Sequence, residues 1–497
     1  MTEAKRSQAI QGAEKMHPLV TLDALALSAA VRSKEVSCRE VMQAYLEHIA
    51  QMNPHVNAIV SLRPADELLD EAKRADQLLA RGTYLGWMHG MPQAPKDLAS
   101  CRGLPTSKGS PLSSMEPALG DATCIARVRD AGAIFIGKTN VSEFGLGSNS
   151  YNPVFGVTRN AYDSSRIAGG SSGGAAAALA MRMLPVADGS DMMGSLRNPA
   201  AFNNVYGFRP TQGRVPYGSG GELFLQQLST EGPMGRTVAD VARLFATQAG
   251  YDSSCPLSGD TDVTGDAEQL KRDFKGARIG WLGNYDGYLP IEEEVMALCE
   301  AALSDFADLG CAVEQCQPDY PMEKLWETWL VHRHWLVGGN LSPYFSDPVQ
   351  RALLKPEAQW EVESGLNLKA DDIFRASLAR SDWYRAIHKL FEQFDYLLLP
   401  SAQMFPFDAA TKWPRSVAGR EMDTYHRWME VVIGPTLAGL PVMSVPVGFG
   451  KNGLPMGMQI IGPARDDLGV LQLAHALEGL RSWVSQTPLT VVETLNR

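Results

Sequence analysis

The chain has 497 residues, carries 45 Lys and Arg against 56 Asp and Glu for a net charge of −11, and is 45% hydrophobic. This ordinary globular composition excludes a disordered or fibrous chain. An acidic chain without a basic run is also a poor partner for nucleic acid or an anionic membrane. At about 150 residues per domain the length allows about three domains, although large α/β enzymes often form one unit.

The cysteines are odd in number and widely spaced, and we expect reduced thiols in a cytoplasmic protein. They are Cys38, Cys101, Cys124, Cys255, Cys299, Cys311 and Cys316. Residues 1–19 are polar and lack the hydrophobic core of a signal peptide. No apolar run reaches the roughly 18 residues of a transmembrane helix, so we expect no membrane segment.

The predicted elements begin as helices and then alternate with strands. Residues 20–53 are predicted as two helices, with a capping box of Ser37 and Glu40, and residues 66–81 as a third that stops at Gly82. Short apolar strands are predicted at Ala133–Ile136, Leu184–Ala187, Arg278–Leu282, Tyr396–Leu399, Val442–Val447 and Met458–Ile461. Helices are predicted at about 121–131, 174–183, 292–308, 379–393 and 467–483. This alternation favours an α/β sandwich with a largely buried sheet.

Residues 320–430 differ in composition, because six of the ten tryptophans fall there. They are Trp326, Trp329, Trp335, Trp360, Trp383 and Trp428. Two interpretations stay open: a helical layer with a bulky core, or a lid whose aromatic side chains line a substrate pocket. His332 and His334 lie two residues apart in this region, but we expect no metal site there.

Two Gly/Ser-rich turns, at residues 169–174 and 188–195, are the most informative stretch. Glycine lets such turns present backbone N–H groups to a ligand. A phosphate-binding loop would suit a turn before a helix, but the Walker pattern is absent. Residues 169–173 match the GxSxG elbow of α/β-hydrolases, but that elbow needs a preceding strand and residues 159–168 do not form one. A flexible loop without chemistry is the third alternative.

The stretch from Gly169 to Pro216 also resembles the signature of the amidase signature family. The matching residues are Gly169 to Gly174, Asp191, Gly194, Ser195, Arg197, Pro199, Ala200, Gly207, Pro210, Thr211 and Gly213 to Pro216. Further matches lie upstream at His89 to Pro92, Lys96, Asp97, Gly137 to Asn140, Glu143, Phe144 and Gly156, and downstream at Leu437 to Pro441, Val445 to Gly448 and Gly453 to Gln459. The resemblance spans about residues 25–485.

The resemblance implies an α/β fold with a large central mixed β-sheet covered by helices on both faces. It implies a single domain over 1–497, with N-terminal helices at 20–82, a catalytic core at 85–220, a variable helical lid or pocket region at 320–430 and a closing segment at 431–485. It also implies hydrolysis of an amide through an acyl-enzyme, without metal or cofactor.

The roles implied by the resemblance fall on three residues. Ser195 is the expected nucleophile, Ser171 the bridging serine on a cis peptide from Gly170, and Lys96 the base. A serine hydroxyl does not ionise unaided at neutral pH, and a lysine serves as a base only when it is neutral, a state that burial favours. Lys96 follows Ala94 and Pro95 in an uncharged run, in agreement with a buried stem.

The turn around Ser195 is the expected oxyanion site. Its expected members are the backbone N–H groups of Met192, Met193, Gly194 and Ser195, with Ser172 bonding nearby and Asp191 and Arg197 supporting the turn. The family pattern has Thr-Gly where this chain has Met192-Met193, and we expect the Met193 side chain to narrow the substrate pocket beside Ser195.

The expected substrate is a small apolar or aryl amide, with carbamates as an extension of the same chemistry. We expect a free-standing bacterial-type amidase, compatible with a homodimer, that binds neither nucleic acid nor membrane. The alternative is the amidotransferase subunit that releases ammonia from glutamine. That subunit resembles this chain in fold but keeps the two glycines of the turn, and it works only with partner subunits.

Overall fold

The fold is built around an eight-stranded mixed β-sheet flanked by helices, as predicted. The computed structural model describes residues 16–217, 222–225, 227–488 and 491. The strands are β1 (Val186–Asp191), β2 (Tyr206–Arg209), β3 (Thr230–Gly235), β4 (Arg278–Trp281), β5 (Ala312–Gln315), β6 (Tyr396–Pro400), β7 (Val442–Phe449) and β8 (Pro455–Ile461). Their order across the sheet is β5-β4-β6-β8-β7-β2-β3-β1.

Strand β4 runs parallel to β5 and β6, whereas the other neighbouring strands pair antiparallel. Strand β1 therefore lies at one edge of the sheet with β3 as its neighbour. Short two-stranded pairs lie outside this sheet. They are Ile59–Val60 with Lys138–Thr139, Pro92–Gln93 with Ile134–Phe135, Tyr151–Asn152 with Gly156–Val157, and Ser416–Val417 with Arg420–Glu421.

The helices cover much of the chain between the strands. They are α1 (Pro18–Thr21), α2 (Ala24–Ser33), α3 (Cys38–Val56), α4 (Ala65–Ala80), α5 (Thr123–Asp130), α6 (Gly173–Ala180), α7 (Arg197–Asn203), α8 (Val238–Gln248), α9 (Glu293–Asp308), α10 (Met322–Ser346), α11 (Pro348–Leu353), α12 (Pro356–Leu366), α13 (Ala370–Phe391), α14 (Ile433–Leu437) and α15 (Asp467–Leu480). Short 3₁₀ segments lie at Glu143–Gly145, Ala267–Leu270, Arg427–Val432 and Trp483–Ser485.

Three strands of the main sheet, β2, β3 and β5, have no counterpart among the predicted elements. Strand β3 reads Thr-Glu-Gly-Pro-Met-Gly and yet pairs on both sides. Glycine and proline in such a segment argue against a central strand, so local pattern alone misses it. The predicted strand Ala133–Ile136 shrinks to Ile134–Phe135 and pairs with Pro92–Gln93 outside the main sheet.

Of the two interpretations of residues 320–430, the structure supports the bulky helical core for the tryptophans. Trp326, Trp329, Trp383 and Trp428 are all buried. Helix α10 packs against α12 and α13. All seven cysteines are free thiols; Cys316 is half-buried and the other six are buried. The domain boundaries and the cellular compartment stay predictions. No helix in the described part of the chain has the length and apolarity needed to span a bilayer.

Helix α6 lies very close to its neighbours because its residues are small. It reads Gly-Gly-Ala-Ala-Ala-Ala-Leu-Ala and is buried throughout. A Cβ atom at Gly174 would lie 2.6 Å from the Ala58 carbonyl oxygen and still closer to the Asn140 backbone. Backbone atoms cannot move aside as a flexible side chain can. Helix α6 can therefore lie this close to the backbone of Ala58 and Asn140 only because residue 174 has no side chain.

Gly174→Ala should therefore lower the free energy of unfolding by about 1–3 kcal/mol, the usual cost of overpacking. Gly479→Ala is the matched control, because Gly479 also lies in a helix and its Cβ would meet nothing within 4 Å. Urea denaturation of both variants measures the difference. Equal stability of the two variants would contradict the close packing at Gly174.

Candidate active site

One strand–turn–helix segment and one turn–helix segment carry the two Gly/Ser turns. Strand β1 ends at Asp191, and the chain turns through Ser195 into helix α7. The other turn runs from Gly169 through a cis peptide between Gly170 and Ser171 into helix α6. Helices α6 and α7 contact each other, so the two turns face one another at the edge of the sheet.

Lys96 is the centre of the hydrogen bonds between these turns. Its side chain is fully buried. The Nζ atom donates to Ser171 Oγ at 2.9 Å and to Ser172 Oγ at 2.8 Å. It also contacts Ser190 Oγ at 2.9 Å. The backbone N–H of Lys96 donates to Asp188 Oδ2 at 3.0 Å, which fixes the start of the side chain.

Burial lowers the pKa of Lys96 below that of an ordinary lysine, although nearby carboxylates, first that of Glu231, oppose the shift. Glu231 lies directly across from Ser190 in the pairing of β3 with β1. Burial raises the pKa of Glu231. Both directions favour the neutral forms, so the amine of Lys96 loses its proton more readily than that of an exposed lysine.

Asp191 fixes the turn that carries Ser195. Its Oδ1 accepts from the Gly194 N–H at 2.8 Å and its Oδ2 from the Leu196 N–H at 3.1 Å. The Arg197 guanidinium binds both oxygens at 2.9 Å. Arg209 Nη1 lies 3.6 Å from Oδ1 and also donates to the Asp191 carbonyl oxygen.

Burial alone would raise the pKa of Asp191, but Arg197 and Arg209 outweigh it and hold that pKa well below its usual range. Arg197 in turn donates to Val432 O and to Gln459 Oε1. The turn that carries Ser195 is therefore held in place by the fully buried ion pair of Asp191 and Arg197.

Ser171 and Ser195 open into one cavity of about 350 Å³. Its described lining is mixed polar and apolar. The residues are Leu98, Lys108, Phe144, Gly145, Leu146, Ser171, Ser190, Met192, Ser195, Tyr217, Ser229, Arg333, Val337, Asn340, Leu341 and Tyr344. No hydrogen bond joins Ser195 Oγ to Ser171 Oγ within the described residues.

The expectations for the Met193 side chain and for the Gly194 N–H need correction. The Met193 side chain is buried in the main core and is absent from the cavity lining, where Met192 lies instead. Gly194 takes a positive φ of 79°, whereas Met193 does not. The Gly194 N–H is already bonded to Asp191, so it is not free to bind an oxyanion. Ser172 contacts Lys96 and lies away from the cavity lining.

Several residues near the site were not identified from the sequence. Ser190 contacts Lys96 directly from β1, and Glu231 lies across from Ser190 through strand pairing, which no local motif reveals. Arg333 comes from α10 in the tryptophan-rich region, more than a hundred residues along the chain from Ser195. Neither the apolar periodicity of the helices nor a local motif indicates that Arg333 lies near the site.

The described residues contain no group of three or more His, Cys, Asp or Glu side chains placed to bind a metal. His334 Nδ1 lies 2.7 Å from Glu361 Oε2. His332 is buried, and its Nε2 atom has no partner within the described part of the chain. The two histidines therefore do not converge on one point.

Comparison with known proteins places this geometry among amide hydrolases. The model of the Amidase family matches residues 40–471. An acylamidase of Rhodococcus erythropolis is 33% identical over 94% of this chain and 97% of its own length. A glutamyl-tRNA(Gln) amidotransferase subunit of Acidothermus cellulolyticus is 34% identical over 93% and 95%. The crystal structure of a bacterial aryl acylamidase of the amidase signature family superposes with a TM-score of 0.88 at 29% identity, covering 95% of this chain and 98% of that one.

Asp191→Asn should lower the free energy of unfolding at pH 7 by about 3–5 kcal/mol, because it leaves the charges of Arg197 and Arg209 buried without a carboxylate. The carboxylate has a depressed pKa in the folded state, so its contribution is complete above its unfolded value near pH 4 and declines as the pH falls further. The gap between wild type and variant should therefore be widest above about pH 5 and narrow in acid.

Urea denaturation at several pH values measures this gap. Asp371→Asn is the control, because Asp371 pairs with Arg375 on the surface and its loss should cost no more than about 1 kcal/mol. A gap that is constant down to about pH 2 would contradict the assignment of the charge to Asp191.

Proposed function

Because the chain belongs to the amidase signature family and is a hydrolase of amide carbon–nitrogen bonds, we propose that it cleaves apolar or aryl amides through Lys96, Ser171 and Ser195. The observation that carries the proposal is the 2.9 Å hydrogen bond between the buried Lys96 amine and the Ser171 hydroxyl, which lies in the same cavity as Ser195. No relative named above is described as acting on carbamates, and the proposal is limited to amides.

The proposed reaction begins with attack by Ser195 Oγ on the amide carbonyl carbon. Its proton passes to Ser171 Oγ while the proton of Ser171 passes to the neutral amine of Lys96. The same relay in reverse delivers that proton to the departing amine, leaving an ester of Ser195. Water then attacks the ester carbonyl carbon and loses a proton to the relay. The bond between the acyl carbon and Ser195 Oγ breaks, the relay returns the proton to Ser195 Oγ, and the acid leaves. Catalytic hydrogen bonds are often absent or long without substrate, so the open Ser195–Ser171 contact is compatible with this relay.

The oxyanion of the tetrahedral intermediate requires donors beside Ser195. We assign this role to the backbone N–H groups of Met192, Met193 and Ser195, since none of them has a hydrogen-bond partner within the described chain. Gly194 is left out because its N–H bonds to Asp191. Asp191 and Arg197 act by holding the turn in place.

The preference for apolar or aryl amides is supported by the cavity wall. Leu98, Phe144, Leu146, Val337 and Leu341 line it beside the two serines. Apolar walls with few polar groups are typical of pockets for small organic molecules. An acylamidase and an aryl acylamidase among the similar proteins agree with this substrate class.

A glutamine-dependent amidotransferase subunit is the second candidate. The chain is 34% identical to such a subunit and 33% identical to the acylamidase, so sequence identity does not separate the two candidates. Incubation of the purified chain alone with anilides and with glutamine separates the two. Anilide cleavage without a partner supports the amidase, whereas glutaminase activity that depends on a co-purifying subunit supports the alternative.

Ser195→Ala should reduce amide hydrolysis by at least about 10³-fold, since the residue supplies the nucleophile. A fluorophosphonate should label wild type at Ser195, as located by peptide mass spectrometry, and fail to label the variant. Ser304→Ala on the exposed side of α9 is the control and should keep full activity. Labelling at Ser171 in the wild type would reverse the assignment of the two serines.

Activity should rise with pH as Lys96 loses its proton in the free enzyme, because only the neutral amine accepts a proton. Burial lowers this pKa, so the midpoint of the rise in kcat/KM should lie below the ordinary lysine value near 10.4. Lys96→Ala should lose at least about a hundredfold in kcat/KM and the rise itself. Full activity of Lys96→Ala, with an unchanged pH profile, would disprove the role of this base.

A further inference from the structure

The cavity beside Ser195 holds a guanidinium that the proposed hydrolysis does not use. Arg333, on α10, is only 3% exposed, yet it lines the same cavity as the two serines. A buried arginine is costly unless its donors meet acceptors. The partners of its three nitrogen atoms therefore show which hydrogen-bond donors remain available to a ligand.

Two of the three nitrogens are engaged by strong acceptors of the protein. Nε donates to Glu361 Oε1 at 2.6 Å, and Nη2 donates to the Tyr425 hydroxyl at 2.5 Å. The Tyr425 hydroxyl in turn donates to Glu361 Oε1 at 2.7 Å. The guanidinium is thus held rigidly from one side.

The charge of this group is also fixed. Burial lowers the pKa of Arg333, but Glu361 outweighs burial and raises that pKa above its ordinary value. Burial likewise raises the pKa of Glu361, and Arg333 outweighs it and holds that pKa well below the usual range. Both groups stay ionised at neutral pH, and their charges compensate each other.

The third nitrogen, Nη1, is poorly satisfied. Its partner among the described residues is the Met192 Sδ atom at 3.6 Å. A thioether sulfur is a weak acceptor, whereas each guanidinium nitrogen is a strong donor. Nη1 therefore keeps donor capacity that the protein does not use, and both Arg333 and its Met192 partner line the cavity.

The other charged residue in the described lining is Lys108, which is exposed, and the described lining contains no carboxylate. A substrate bound in the cavity can supply the strong acceptor that Nη1 lacks. Because Glu361 already balances the charge of Arg333, a neutral carbonyl oxygen is sufficient.

We propose that Arg333 is a specificity-determining residue whose Nη1 donates to a second carbonyl oxygen of the substrate, separate from the carbonyl of the scissile amide. The preferred substrates are then apolar or aryl amides that carry a ketone or ester carbonyl on the part lying against α10. This inference rests on the proposed function, whose site it shares. A pocket built to hydrogen-bond a substrate group discriminates strongly against the analogue that lacks the group.

The test compares anilides that carry an acetyl group with partners that carry an isosteric isopropenyl group, placed on the acyl chain at several positions or on the aniline ring. In at least one position the acetyl compound should exceed its partner in kcat/KM by about tenfold or more. Equal kcat/KM for every pair in the wild-type enzyme would overturn the proposal without any variant.

Two variants locate the source of the preference. Arg333→Lys keeps a positive charge for Glu361 but removes the Nη1 donor, so the acetyl-to-isopropenyl ratio should fall toward one. Met192→Leu keeps the volume, removes the sulfur and leaves Arg333 intact, so the ratio should persist. A ratio that survives Arg333→Lys, or that disappears in Met192→Leu, would overturn the proposal. Arg375→Lys, on the exposed surface of α13, is the matched control and should leave the ratio unchanged.

Failure of this proposal is distinguishable from failure of the proposed function. Labelling of Ser195 by a fluorophosphonate, in competition with each compound, measures binding without requiring turnover. If no anilide is cleaved, the proposed function fails, and stronger protection by acetyl compounds than by isopropenyl compounds still supports Arg333. Equal protection by both members of every pair would overturn the role of Arg333 even where anilides are hydrolysed.

Discussion

Burial of Lys96 is the constraint on which the arrangement of the site depends. A lysine without access to water needs partners for its nitrogen in either protonation state. Serine hydroxyls both donate and accept, so Ser171 and Ser172 can satisfy the charged ammonium and the neutral amine alike. Elsewhere in the same region buried cations pair directly with carboxylates, as in Arg197 with Asp191. Pairing with a carboxylate keeps a buried side chain charged, whereas contact with hydroxyl groups allows the side chain of Lys96 to be either charged or neutral.

The edge of the sheet is where these two kinds of environment meet. Strand β1 supplies Ser190 to Lys96 and, at the next residue, Asp191 to Arg197. Successive residues of a strand point to opposite faces, so one strand end contacts Lys96 on one side and supports the turn that carries Ser195 on the other. The antiparallel neighbour β3 adds Glu231 on the face of Ser190. The order of the strands thus places the carboxyl group of Glu231 near Lys96.

The sequence predicted the fold class and brought Lys96, Ser171 and Ser195 to attention, because these residues lie in motifs that can be identified locally. It could not predict Glu231 or Arg333, which reach the site through strand pairing and through a distant helix. The sequence also could not predict which of the Met192 and Met193 side chains lines the cavity. The positive φ of Gly194 and the path of the turn decide which of the two side chains faces the cavity.

Met192 then has a structural meaning that its apolar character alone does not suggest. It lies in the turn between Asp191 and Ser195, and its sulfur contacts Arg333. Arg333 is held in turn by Glu361 of α12 and by Tyr425. The turn that carries Ser195 and the cavity wall formed by α10 therefore make one continuous set of contacts, anchored by a buried ion pair at each end. Through Met192, the turn that carries Ser195 is therefore in direct contact with the guanidinium of Arg333.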